Sequence, residues 1–136
     1  MKFKNKELAY IYNGLAKVVN VDNRKIKYNM GRNKKMLLDE ITEYNNEISK
    51  IRKEHCKVDK NGEFVTTENE DGSKSLTYID KKHRDLFIKE IEELNEAECD
   101  LPIRTITFED YEKDTGNITP EEVDYLLFMI EDDNTK

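Results

Sequence analysis

Between Arg24 and Lys57 the residues Met30, Leu37, Ile41, Tyr44, Ile48, Ile51 and His55 recur at alternating intervals of three and four, with Lys34 filling the one gap. That interval holds a single stripe of side chains on one side of an α-helix through more than three heptads. The spacing predicts a long helix over about 24–57, roughly 50 Å from end to end at 1.5 Å per residue. Such a rod cannot bury its own stripe and must be covered by other parts of the chain or by a partner. Gly31 weakens its first turns, since glycine costs a helix about 1 kcal/mol against alanine.

The remaining segments supply the cover. Leu8, Ile11, Tyr12, Leu15, Ala16 and Val19 predict a helix over about 5–19, with Asn5 as N-cap and the polar turn "NVDN" as its end. Asn61-Gly62 and Asp71-Gly72 bracket alternating β-prone residues, which predicts a β-hairpin over about 63–79. Phe87, Ile91 and Leu94 continue the three-four rhythm in a helix over about 80–98 capped by Asp80, and "LPIRTITF" alternates as a strand over about 102–108. A hairpin joining two long helices makes them antiparallel neighbours. Cys56 then lies at the tip and Cys99 near the base, too far apart for a disulfide. The strand has the N-terminal "MKFKN" as its nearest extended neighbour, so Lys2–Lys4 is expected to pair with part of Ile103–Phe108. The fold expected over residues 1–136 is one mainly α domain with minor β structure. Its centre is an antiparallel helical hairpin, coiled-coil-like, with a β-hairpin at the tip and the terminal helices and a short strand at the base.

Composition narrows the class. Apolar residues make up 36% of the chain and charged residues 39%, so a core is thin relative to the surface. No apolar run reaches membrane-spanning length, and "MKFKNKELAY" has no signal-peptide block, so a cytoplasmic protein without membrane contact is expected. The net charge of −7 conceals a division. Residues 1–60 carry 15 Lys and Arg against 8 Asp and Glu, and residues 61–136 carry 8 against 22. Halves of opposite sign either neutralise each other by folding back or present two fields to partners.

The run "DTGNITPEEVDYLLFMI" has the cadence of a calcium loop leading into a helix. With Gly116 at loop position 6, the first three ligand positions fall on Tyr111, Lys113 and Thr115, and only Glu122 survives at position 12. Starting at Asp110 recovers Asp114 and Glu121 but puts Thr115 where glycine belongs. The letters read instead as a capping box, Thr119-Pro120-Glu121-Glu122, opening a helix over about 120–131.

Four stretches, "KFKNKELAYIYNGL", "KIKYNMGRNKKML", "VDKNGEF" and "ITPEEVDYLLFMIED", occur in an order that resembles a family of small, functionally uncharacterised proteins of tailed phages and prophages of low-GC Gram-positive bacteria. The chain departs from that family in lacking a proline between its first two helices. The resemblance implies phage origin and a place among late, structural-module genes, and it supplies no activity and no catalytic residues.

No nucleophile elbow, P-loop, dinucleotide fingerprint or H-E-x-x-H is present. His55 and His83 share the predicted tip with Cys56, Asp59, Asp80 and Asp85, but zinc-type paired spacing is missing; His55 reads as the end of the seam and His83 as a solvated helix residue. No catalytic residue, metal or cofactor is assigned. The basic run holds Arg24, Lys25, Lys27, Arg32, Lys34 and Lys35 without an acid. Of these, Arg24, Lys27, Arg32, Lys34 and Lys35 are the candidate nucleic-acid contacts, with Tyr28 available to stack. Because the lysines wrap the helix, pairing with the acidic third helix or the C-terminus is the favoured reading. The candidate partner-binding acids are Glu92, Glu93, Glu96, Asp110, Glu112 and Asp114. The expectation is a non-catalytic phage protein acting by protein–protein contact in virion morphogenesis or the late programme, in the host cytoplasm or virion-associated, with a homodimer allowed by the seam. The alternatives are an anti-defence inhibitor with an acidic surface, such as an anti-CRISPR or nuclease inhibitor, and a nucleic-acid-binding accessory protein.

Overall fold

The computed structural model describes residues 1–131. It is mainly helical with two small antiparallel sheets. Its internal packing gathers into two compact units, 1–42 with 98–131, and Glu43–Ala97.

In the first unit β1 (Lys2–Lys4) pairs antiparallel with β4 (Glu98–Asp100), Phe3 opposite Cys99. Phe3 is buried and its neighbours point outward, the period-two pattern of a half-buried strand. A 3-10 turn (Asn5–Glu7) leads into α1 (Leu8–Ala16), which buries Leu8 and Leu15. The helix expected to begin at an Asn5 cap therefore starts as a tighter turn, and it stops three residues early.

Helix α2 (Arg24–His55) opens on Asn23, whose side-chain oxygen accepts the N–H of Ile26 at 3.1 Å. It runs through Gly31 without interruption. Within this unit it buries Ile26, Asn29, Met30, Asn33 and Leu37, a stripe at helical spacing that includes two amides. Helix α5 (Pro120–Leu126) starts on the expected capping box, with Thr119 Oγ1 accepting from Glu122 N at 3.2 Å and Glu122 Oε1 from Thr119 N at 3.1 Å. A 3-10 turn (Leu127–Met129) finishes it. The apolar core gathers Leu8, Leu15, Ile26, Leu37 and Leu126 from these elements and Ile106 from the segment before α4 (Phe108–Glu112), all fully buried.

The expected strand over 102–108 does not form, and β1 takes 98–100 as its neighbour instead. The alternation itself is sound, since Leu101 and Ile106 are buried. What differs is where the backbone bonds go. Asn33 Nδ2 donates to the Arg104 carbonyl at 2.9 Å while Arg104 N donates to Asn33 Oδ1 at 2.8 Å. Asn29 Nδ2 donates to the Thr105 carbonyl at 3.2 Å. Ile106 exchanges bonds with Met129 and Glu131, leaving a single parallel bridge to Ile130. Pro102 has no N–H to give. Side-chain amides thus occupy the places of a neighbouring strand. A short helix α4 (Phe108–Glu112) follows on a Thr107/Asp110 capping box; the "TFED" spacing carried that signal.

In the second unit the end of α2 and helix α3 (Lys81–Glu96) run antiparallel, as expected. Tyr44 hydrogen-bonds Asn95 at one end, and His55 meets His83 at the other. Asp80 caps α3 by accepting from His83 N at 2.8 Å. Between the helices β2 (Thr66–Glu68) pairs with β3 (Lys74–Leu76). Lys57, Val65 and Thr77 close a ring of three backbone hydrogen bonds of 2.7–3.0 Å, so the ribbon recruits residues just after α2 as a third extended segment. Gly62 and Gly72 take positive φ in the two turns.

Candidate functional site

The turn between α1 and α2 is short of bonding partners of its own, and the C-terminal third of the chain supplies them. Asp114 Oδ2 accepts from Asp22 N at 2.9 Å and Asn23 N at 2.8 Å, and its Oδ1 from Gly116 N at 2.7 Å. Thr115 Oγ1 donates to Asp22 Oδ2 at 2.7 Å. A Cβ on Gly116 would lie 2.1 Å from the Asn20 carbonyl, so the loop can approach the turn only as glycine. Glu122 completes the clasp. Its carboxylate accepts from Val19 N at 2.7 Å, Asn20 N at 3.0 Å and Asn20 Nδ2 at 2.7 Å besides capping α5. The amide of the Asn20 side chain, then the N–H groups of Asn20, Thr119 and Val19, hold this carboxyl down to about 2. Partial burial pushes Asp114 up, yet the N–H groups of Asn23, Asp22 and Gly116 outweigh it and the carboxyl sits below its usual range.

The letters that imitate a calcium loop are thus a set of backbone acceptors. They also fix a wall. Val18, Val19 and Val21 of the clasped turn, with Met30, Lys27 and Lys34 of α2, line a cavity of about 210 Å³.

The basic residues divide. Lys25 pairs with Asp110 at 2.8 Å and Lys35 with Asp39 at 3.5 Å, while Arg24, Lys27, Arg32 and Lys34 make no ion pair among the described residues. Of the two expected destinations for this charge, the third helix or the C-terminus, the described residues use the C-terminal segment: Lys25 reaches Asp110 of α4, and Lys27 helps to lower the Asp114 carboxyl. Tyr28 is exposed, but the Arg104 guanidinium already stands 5.5 Å from its ring centroid.

The acidic candidates divide as well. Glu92, Glu93 and Glu96 are exposed on α3 in one unit, and Glu112 is exposed at the end of α4 in the other. Asp110 is bound to Lys25 and caps α4 through the Thr107 N–H at 3.1 Å; its carboxyl is lowered first by the Lys25 hydrogen bond and then by that of Thr107. Asp114 belongs to the clasp. Asp110 and Asp114 are thereby structural.

In the second unit His55 is 5% exposed, its Nδ1 2.9 Å from His83 Nδ1 and its Nε2 2.7 Å from Glu90 Oε2. Two ring nitrogens at that distance share one hydrogen, so one Nδ1 is bare. A proton on His55 Nε2 accounts for the Glu90 contact. Glu54 lies 3.8 Å from the same nitrogen. The carboxylates brought to the histidines are thus Glu54 and Glu90. Asp59 instead accepts from Asn61 N and Glu63 N in its own turn, and Asp80 caps α3. His83 is half-buried against His55 where a solvated side chain was expected. Cys56, beside His55, is 2% exposed and burial raises its thiol pKa, so it is held as a neutral thiol away from solvent.

No family model, curated protein or solved structure matches this chain. The phage-family resemblance stands on the four quoted stretches alone. Among the described residues no helix is long and apolar enough to cross a membrane. Sequence reasoning missed Glu122 as an anchor and the Lys27/Lys34 cavity. The buried pair Asn29 and Asn33 had a signal: two amides four residues apart, beside Ile26, Met30 and Leu37.

Proposed function

We propose that the protein is a non-catalytic bacteriophage or prophage adaptor that works by protein–protein contact, in virion morphogenesis or as an accessory of the late programme, in the host cytoplasm or on the virion. The observation that carries this reading is the surface of the helical-hairpin unit. Val58, Val65, Ile79, Leu86 and Ile88 are all exposed there, while His55 and Cys56 are its buried side chains. A unit with so little apolar interior of its own gains most from a partner that covers it. On α3 the exposed Ile88 lies one turn before the exposed Glu92, which favours a partner whose apolar contact is edged by lysine or arginine.

Affinity capture from infected cells, repeated across a salt series, tests the reading. A capsid or tail protein retained at high salt supports it; capture of nothing by the wild-type chain overturns it. Light scattering on the purified chain reports whether a second copy is the covering partner. The anti-defence alternative draws on Glu92, Glu93 and Glu112, which are exposed, since Asp110 and Asp114 are engaged within the fold. A host nuclease or CRISPR effector released at moderate salt would select it. Nucleic acid held through Arg24, Lys27, Arg32, Lys34 and Lys35 would select the third reading.

A further inference from the structure

We propose that the end of α2 and the middle of α3 form a site for zinc or a chemically similar first-row metal ion. Its ligands are His55 Nε2, Glu54 and Glu90, and His83 holds the His55 ring in place. The site lies wholly within the helical-hairpin unit, and it does not depend on which partner that unit meets. The ion acts as a staple between the two helices.

The donor atoms are already gathered. Glu54, His55 and Glu90 each bring one, and all lie within 4.8 Å of one another. Two ligand atoms on a tetrahedral zinc stand about 3.3 Å apart, given bonds of about 2.0 Å. The separations from His55 Nε2, 2.7 Å to Glu90 and 3.8 Å to Glu54, straddle that value. Sub-ångström shifts of the side chains therefore admit the ion. Among the described residues neither glutamate forms an ion pair with lysine or arginine. Two carboxylates from different helices thus meet at a buried nitrogen with no fixed cation between them.

His55 is also oriented for a metal. Its ring is buried, and its Nδ1 shares one hydrogen with His83 Nδ1 across 2.9 Å. That hydrogen can sit on either ring. On His83 it leaves the second His55 proton at Nε2, bonded to Glu90. On His55 it leaves Nε2 bare toward both carboxylates, with Nδ1–H still satisfied by His83. The proton lost from His55 Nε2 is matched by one taken up at His83 Nε2, so both rings stay neutral. A hydrogen bond at the far ring nitrogen is how metal-binding histidines are held in the required tautomer.

The unit has a use for such a staple. Between Glu43 and Ala97 only His55 and Cys56 are buried, and a unit with so small an interior gains most from a cross-link. One ion joins helix positions 35 residues apart, at the end of α2 and on α3. Donor chemistry selects the ion. One imidazole nitrogen with two carboxylates suits zinc and its neighbours, whereas calcium and magnesium favour all-oxygen shells. Three protein ligands leave a fourth position for water.

The probe is Zn²⁺ titrated into the full chain after dialysis against EDTA, followed by calorimetry and imidazole 15N spectra. One equivalent should bind with Kd below about 100 µM, move the His55 Nε2 resonance, and raise the thermal midpoint as zinc increases. Glu90→Gln keeps an acceptor for His55 Nε2–H, and Glu54→Gln alters an exposed side chain, so both variants retain the fold. Each should weaken zinc binding about tenfold or more, while Glu92→Gln, outside the ligand set, should leave it unchanged. No zinc bound at about 100 µM, or binding untouched by both ligand variants, overturns the site. Mg²⁺ binding as tightly as Zn²⁺ also overturns it, since the imidazole is then not a ligand.

Discussion

Asn33 and Arg104 form a reciprocal pair, the amide of one donating to and accepting from the backbone of the other at 2.9 and 2.8 Å. One fully buried side chain on α2 thereby does what a strand edge would do for the 101–107 segment. Asn33→Leu should cost about 2 kcal/mol, because it leaves the partly buried N–H and carbonyl of Arg104 without their amide partner. Urea unfolding measures this, with the exposed Asn45→Ala expected within about 0.5 kcal/mol of wild type.

Gly116 and Gly31 should respond to alanine with opposite signs. At Gly116 the added Cβ meets the Asn20 carbonyl at 2.1 Å, so the clasp must open and about 2 kcal/mol or more is lost. At Gly31 nothing lies within 4 Å and the residue sits inside α2; alanine there should gain about 0.5–1 kcal/mol. Thermal melts of the two variants against wild type decide both.

Glu122 should make stability depend on acid. Its folded carboxyl titrates at about 2, below the ordinary 4.5, so the unfolded chain binds the proton first as pH drops. The contribution of the carboxylate is complete above about pH 5 and drains away as pH falls through 4.5 toward 2. Glu122→Gln should therefore be less stable at pH 6, with the gap narrowing markedly by pH 2.5. Denaturant titrations at pH 6, 4 and 2.5 follow the difference; a gap independent of pH contradicts it.

His55 and His83 should show unequal Nδ1 atoms. Imidazole 15N spectra are expected to report one protonated and one bare Nδ1 across the 2.9 Å contact. His55→Ala should cost about 2 kcal/mol in urea unfolding, since it removes the buried ring and strands His83 and Glu90.

Local spacing was enough to place α1, α2, α3 and α5 in order, while α4 was not foreseen. The stripe from Met30 to His55, the Asp80 cap and the Thr119-Pro120 start depend on neighbours within a turn or two, and each appears where its residues place it, within a few positions. The antiparallel run of α2 and α3 followed from their joining ribbon. Tertiary structure decided how long-range polar groups were used. Asp114 and Glu122 looked like ligands or surface charge because the backbone N–H groups they satisfy lie about a hundred residues earlier. The 102–108 alternation looked like a strand because nothing nearby disclosed that Asn29 and Asn33 would take its hydrogen bonds. Lys27 and Lys34 became a rim only when the turn bearing Val18 and Val21 was clasped against α2. Helical periodicity is a property of adjacent residues, whereas a hydrogen-bond partner or a cavity wall is fixed by which distant segments the fold brings into contact.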